Sequence, residues 1–269
     1  MGRRRGDENL GGSSAPVRVG AESGRSKLWS FAQNLLASLR QNWENRIVGG
    51  SSASSGQFPY QISLRNANNA HFCGGFLINT RFVVSAAHCT RGRSLGNTMI
   101  IAGALNRVTG GFRWNTARIN NHPQYNANTL AFDVSVLMSS STISQTATIR
   151  PIGLSSTHLG GGVSAVVTGW GQTSHPGSAA NTLQFLNVQT ISNQACASAH
   201  GGNGGRIFAH KICTHGTAGR GTCMGDSGGP LAVGNSCIGI VSWGIACARG
   251  FPDVFDRVSS HRNWIIAQF

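Results

Sequence analysis

From residue 47 onward the apolar positions fall in short runs separated by clusters of Gly, Asn and Ser. Tyr60 to Leu64, Phe76 to Ile78, Arg81 to Ser85, Met99 to Ile101, Val134 to Met138, Ala165 to Thr168 and Cys237 to Trp243 are rich in β-branched and aromatic residues. Each is predicted to be a strand. Helical spacing is rarer. Leu28, Phe31, Ala32, Leu35, Leu36 and Leu39 recur on one face and predict a short amphipathic helix. Val258 to Gln268 offers an N-cap serine followed by Trp264, Ile265 and Ile266, which predicts a terminal helix. Many short strands ending in one helix suit a β-sandwich or barrel, and no repeat of solenoid length interrupts them.

Composition sharpens the division at residue 46. Met1 to Arg25 is rich in Gly, Ser and Arg and is expected to be disordered. Arg3, Arg4 and Arg5 are not followed directly by an apolar core, as an export signal requires. No run approaches the ~18 apolar residues of a membrane span. The 269 residues carry a net charge of +14, and all the cations except Lys27 and Lys211 are arginine. Residues 47–269 hold only four acids, Asp133, Asp226, Asp253 and Asp256. A calcium loop needs several carboxylates together. None lies near Asn106 to Gly111, so no calcium site or other metal is expected. An N-glycosylation sequon is also missing.

Seven cysteines follow residue 72: Cys73, Cys89, Cys196, Cys213, Cys223, Cys237 and Cys247. They lack the paired spacing of a zinc site. Either six form three disulfides in an oxidising compartment, or all remain buried thiols in a reducing one.

Three strings carry candidate chemistry. They are Ser85-Ala86-Ala87-His88-Cys89, Leu130-Ala131-Phe132-Asp133-Val134 and Gly225-Asp226-Ser227-Gly228-Gly229-Pro230. A serine hydroxyl is a weak nucleophile until a base such as an imidazole takes its proton. A buried carboxylate must then hold the imidazole in one tautomer, and Asp133 between Phe132 and Val134 is suited to that. Glycines beside Ser227 let the N–H groups of Gly225 and Ser227 converge on an oxyanion.

In these strings, in their order His88, Asp133, Ser227, and in Ile47-Val48-Gly49-Gly50, Gly169-Trp170-Gly171 and Ser242-Trp243-Gly244, the chain resembles the chymotrypsin/trypsin-like serine endopeptidases across 47–269. Those enzymes are themselves the reference case for the triad. The resemblance implies two six-stranded antiparallel β-barrels with a C-terminal α-helix and the site between the barrels. It implies disulfides Cys73–Cys89, Cys196–Cys213 and Cys223–Cys247, leaving Cys237 as a buried thiol. It further implies that Arg46-Ile47 is an activation site, with 1–46 a prosegment and 47–269 the protease domain. The freed amino group of Ile47 would pair with Asp226. The prosegment has no cysteine to tether it after cleavage.

Substrate preference follows from the same resemblance. Gly221 stands where trypsin-like relatives carry an Asp in the floor of the primary pocket, which disfavours a strict trypsin. Gly244 keeps the mouth open, Ser242 to Gly244 offers a strand edge to substrate, and Asp253 puts a carboxylate on the wall. This pattern is similar to insect chymotrypsin-like and crab collagenolytic enzymes and implies cleavage after large apolar residues, with secondary cleavage after Arg or Lys. The expected protein is a secreted, digestive, monomeric endopeptidase without cofactor. Its partners would be protein substrates, a trypsin-like activator and protein inhibitors. Nucleic acid recognition has no supporting motif. The alternative is a cationic binding or defence protein on the same scaffold, using Arg91 with Arg93 and Arg113 with Arg118.

Overall fold

A computed structural model of the chain describes residues 47–174, 176–245 and 247–269, where the short apolar runs form two antiparallel barrels. The expected prosegment and the helix over 28–39 lie outside the described residues. β1 (Ser51–Ser52) leads into the first barrel. That barrel comprises β2 (Gln61–Arg65), β3 (His71–Leu77), β4 (Phe82–Ser85), β5 (Met99–Ala102), β6 (Phe112–Asn121) and β7 (Ser135–Ser139). It closes in the order β2-β3-β4-β7-β6-β5, and the single-turn helix α1 (Ala87–Thr90) follows β4.

β8 (Gly153–Leu154) connects to the second barrel. Its strands are β9 (Ser164–Gly169), β10 (Gln184–Ile191), β11 (Lys211–Thr214), β12 (Pro230–Val233), β13 (Ser236–Trp243) and β14 (Val254–Arg257). They run β10-β11-β14-β13-β12-β9, and β9 pairs with β10 to close the ring. Closure leaves few free edges to recruit another chain. The helix α2 (Asn193–His200) precedes β11, and α3 (Val258–Ile266) ends the fold.

Each barrel is filled by its inward side chains. Leu64, Phe76, Val84, Ile100 and Leu137 fill the first, while Val167, Leu186, Ile212, Leu231 and Phe255 fill the second together with Ile47. Ile240 of β13 and Val258 and Ile265 of α3 join the first barrel's cluster, so apolar burial binds the two halves. Polar bonds fix their register: Thr168 Oγ1 donates to Gln61 Oε1 at 2.5 Å, and Gly74 N to Ser227 O at 2.8 Å. A Cβ on Gly74 would lie 3.0 Å from Gly229 Cα, so the barrels meet backbone to backbone.

The terminal helix departs from the serine-capped start that its sequence predicts. It begins at Val258 with Arg257 as N-cap and no side-chain cap bond. Arg257 ends β14 with its guanidinium on Lys211 O at 2.7 Å, so the strand's exit fixes the helix start and the serines fall inside the first turn.

The disulfides Cys73–Cys89, Cys196–Cys213 and Cys223–Cys247 are formed, with S–S distances of 1.98, 2.08 and 2.05 Å. Cys237 is a buried free thiol, which burial holds protonated. The loop at 106–108 is held by the buried Arg65 guanidinium, which donates to Asn106 O at 3.1 Å and Val108 O at 3.3 Å. No helix among the described residues is long and apolar enough to cross a membrane.

Candidate active site

Pairing of β4 with β7 sets Ser85 opposite Ser135. His88, just after one strand, and Asp133, just before the other, therefore emerge at the same end of the first barrel. Leu130 and Phe132 take φ of +55° and +53°, a left-handed turn uncommon for large side chains, and this turn aims Asp133 inward. The Asp133 carboxylate is fully buried. Its Oδ1 accepts from His88 N at 2.8 Å, and its Oδ2 accepts from His88 Nδ1 and Ser242 Oγ, both at 2.7 Å. A carboxylate acceptor at Nδ1 selects the tautomer with the proton there, which leaves the Nε2 lone pair free.

Ser227 sits on a tight turn in which Gly225 and Gly228 have φ of +101° and +78°. It lines a cavity of about 300 Å³ with His88, Met224 and the edge Ser242 to Gly244. Ser227 and His88 share this cavity without a hydrogen bond between them, a contact that often tightens only when substrate binds. The N–H groups of Gly225 and Ser227 bond to no described residue.

Asp226, beside the serine, is buried. Its Oδ1 accepts from Gly171 N at 2.8 Å and Oδ2 from Cys223 N at 3.0 Å. A Cβ on Gly169 or Gly171 would fall 2.1 or 2.2 Å from this carboxylate, which explains glycine at both ends of Gly169-Trp170-Gly171. Desolvation pushes the Asp226 carboxyl up to about 7, partly offset by the two N–H donors. No cation pairs with it among the described residues. Ile47 is buried in the second barrel at φ +45°, a strained conformation for a β-branched side chain.

Asp253 is 8% exposed and lies between Gly221 and Gly244. A Cβ on Gly221 would be 2.9 Å from its Oδ2, and one on Gly244 3.1 Å from its Oδ1. Oδ2 accepts from Thr222 N at 2.7 Å. With Gly221 the carboxylate lines a larger groove of about 770 Å³, and it meets the Ser227 cavity through its neighbours Thr222 and Gly244, which line that cavity. Burial raises this carboxyl to about 6. Trp243 forms a wall, packed between His200 and the Arg206 guanidinium.

The family model for trypsin matches residues 47–265. The chain belongs to the trypsin family. It is 38% identical to trypsin delta and to trypsin gamma of Drosophila melanogaster over 226 residues, spanning 83% of this chain and 88% of each relative. Trypsin beta of Drosophila erecta is 39% identical over 225 residues, with the same coverage. The protein is a serine endopeptidase acting on protein substrates, and its disulfides fit an extracellular setting.

Two parts of this protease site are absent from the sequence-based expectations. His71 receives a hydrogen bond from Ser63 at Nδ1 (2.8 Å) and donates from Nε2 to Gly225 O (3.0 Å). Burial holds the ring neutral, down to about 4, so one nitrogen donates while the other accepts. It thereby pins the peptide between Gly225 and Asp226.

The second is a buried ion pair. Lys211 on β11 stands directly opposite Asp256 on β14, and Lys211 Nζ lies 2.5 Å from Asp256 Oδ2 with both side chains fully buried. Lys211 also donates to Leu130 O at 2.5 Å and to Ser242 Oγ at 3.2 Å. Asp256 Oδ2 accepts from Asp133 N at 3.2 Å, and Oδ1 accepts from His261 Nε2 at 2.9 Å. Because Lys211 occupies the Ser242 oxygen as donor, the Ser242 proton is directed to Asp133. Phe132 is stacked between the rings of His122 and His210, both held neutral by burial at about 4. Neither residue type at 211 or 256 announces itself in a strand, so only the fold brings this pair into view.

Replacing Lys211 with Met leaves Asp256 without its cation and should cost about 3–5 kcal/mol of stability at neutral pH. The double replacement Lys211→Met with Asp256→Leu should recover part of that loss, because no uncompensated charge stays buried. Burial alone would raise the Asp256 carboxyl, yet Lys211 and His261 hold it below its ordinary value. Its stabilisation is therefore present above the ordinary Asp pKa and is lost as pH falls through the depressed one. Urea unfolding at neutral and acid pH measures both effects. A Lys211→Met variant as stable as the parent would contradict them.

Proposed function

We propose that the protein is made as a zymogen, that Arg46-Ile47 is its activation site, and that the released domain cuts peptide bonds through His88, Asp133 and Ser227. The observation that carries this is the Asp133 carboxylate on His88 Nδ1, with Ser227 in the same cavity as the other face of the ring. His88 Nε2 takes the Ser227 proton as the oxygen attacks the substrate carbonyl. The free N–H groups of Gly225 and Ser227 then receive the developing oxyanion, a contribution of about 10²–10³ in rate for each donor. The imidazolium, steadied by Asp133, passes its proton to the leaving amine. Water completes hydrolysis of the acyl-enzyme by the same route.

Activation draws on Asp226. A buried carboxylate at about 7 with only N–H donors is poorly satisfied as an anion. The amino group freed by cleavage before Ile47 would supply the missing cation and relieve the left-handed strain of that residue. Because the paired amino group has a raised pKa, its contribution holds below its unfolded pKa and fades as pH rises through the folded one. The activator would be a trypsin-like protease recognising Arg46, and the released domain would work as a secreted, digestive monomer open to protein inhibitors.

The pocket supports cleavage after large apolar residues, with additional cleavage after Arg or Lys governed by Asp253. Gly244 leaves the cavity wall without a side chain, and Asp253 is buried directly behind Gly244 and Thr222 instead of turned to solvent. The cationic-binding alternative is weaker at Arg113 and Arg118, since Arg118 already bonds the backbone of Gln268.

Ser227→Ala should retain fold and substrate binding while losing turnover down to the residual ~10³–10⁴ over water. Arg46→Gln should stay inactive when exposed to a trypsin-like activator. Turnover of chromogenic peptides tests both, and full activity in either variant would overturn the corresponding role.

In the activated enzyme, the ratio of Arg/Lys to Phe/Leu cleavage should fall as pH drops through about 6, where Asp253 takes up a proton. Taking a ratio removes every pH effect that the two substrates share. Asp253→Gly should lower the ratio at neutral pH by about tenfold, the worth of one charge-assisted bond. An unchanged ratio would exclude Asp253, and cleavage confined to Arg and Lys would exclude the broad preference.

A further inference from the structure

A second cavity, of about 420 Å³, shares His88, Met224 and Ser227 with the first but not the edge Ser242 to Gly244. Its far wall is the Cys73–Cys89 disulfide with Phe72, Arg91 and Arg93. If the acyl half of a substrate lies along Ser242 to Gly244, the leaving half must enter this cavity. The following inference rests on that proteolytic reading and extends it to the residues after the cut.

Arg93 is held in place before any substrate arrives. Its Nε donates to Cys89 O at 2.8 Å, and its guanidinium carbon lies 3.5 Å from the centre of the Phe72 ring. Those contacts use one edge and one face, and the two terminal nitrogens bond to no described residue. Arg91, leaning over the Tyr125 ring at 5.7 Å, adds a second cation. No described acidic side chain pairs with them: Asp133, Asp226, Asp253 and Asp256 are all buried. A preordered guanidinium loses little entropy on binding and can grip a carboxylate through both free nitrogens.

We propose that this cavity is a subsite for acidic side chains, so that preferred substrates carry Asp or Glu at the first or second position after the scissile bond. Arg93 is the anchor and Arg91 the auxiliary charge. Met224, 65% exposed, lines both cavities and borders the path between them.

The test uses the activated protease and peptides identical up to the cut, with Ala, Asp, Glu or Lys at each of the next two positions. At low salt, kcat/KM should be about 5- to 10-fold higher for the acidic peptides than for Ala, in the range of one partly shielded charge-assisted contact, and lowest for Lys. Raising the salt to about 0.5 M, where the screening length is only a few ångströms, should shrink this ratio in the unaltered enzyme. Arg93→Met should bring the ratio towards one, and Arg93→Glu should invert it in favour of Lys. Equal rates for Asp, Glu and Ala peptides at low salt would overturn the subsite while leaving proteolysis intact. So would an acidic preference that survives in Arg91→Met/Arg93→Met. If no peptide in the panel is cut, the proteolytic reading itself fails and takes the subsite with it.

Discussion

A single buried carboxylate, Asp133, joins the two halves of the molecule. Its ligands come from both barrels, His88 through backbone and ring from the first and Ser242 from the second. An ionised carboxylate inside protein is tolerable only when its oxygens are well supplied with donors. The barrels therefore cannot slide without stripping a donor from it, and the geometry of the imidazole is tied to the packing of the whole. Behind it, Lys211 and Asp256 extend the same demand by one layer, fixing Ser242 from below and the Asp133 backbone from the side. The apolar cluster shared by the first barrel, β13 and α3 supplies the bulk cohesion that this polar seam lacks.

The functional letters were the most legible part of the chain. His88, Asp133 and Ser227 stand in strings whose glycines and alanines have steric reasons to be small: Gly228 has no room for a Cβ beside Ser85 and Gly74, and Gly169 and Gly171 give way to Asp226. Strands with uniformly apolar interiors, such as β5 and β7, were equally plain. The hidden strands, apart from the short apolar β12, are mostly those with polar or charged buried positions. β10 points Gln184 and Thr190 inward between Leu186 and its neighbours, and β6 is largely exposed with Thr116 as its buried residue. β11 and β14 are short and each buries a charge, so neither alternation nor hydrophobicity betrays them. A pattern rule that equates interior with apolar must miss a cross-strand ion pair, because the compensation lies on another strand.

His71 illustrates a different limit. Its role depends on where the Gly225 carbonyl points, and that follows from a glycine at φ +101° some 150 residues later in the chain. Nothing local to His71 encodes it.

The seclusion of every described side-chain carboxylate has a consequence for the molecule as a particle. With Arg65, Lys211 and Arg257 also buried, the outside of the described domain carries mainly guanidinium groups, which do not change state across the range of biological pH, beside exposed histidines such as His158 and His215. The domain is thus a macro-ion that stays positive, clothed in small anions. Copies repel one another until added salt thins that cloud. A flexible polyanion meeting this surface displaces many small ions at once, and their release into solution favours attachment of whatever acidic matrix surrounds the enzyme.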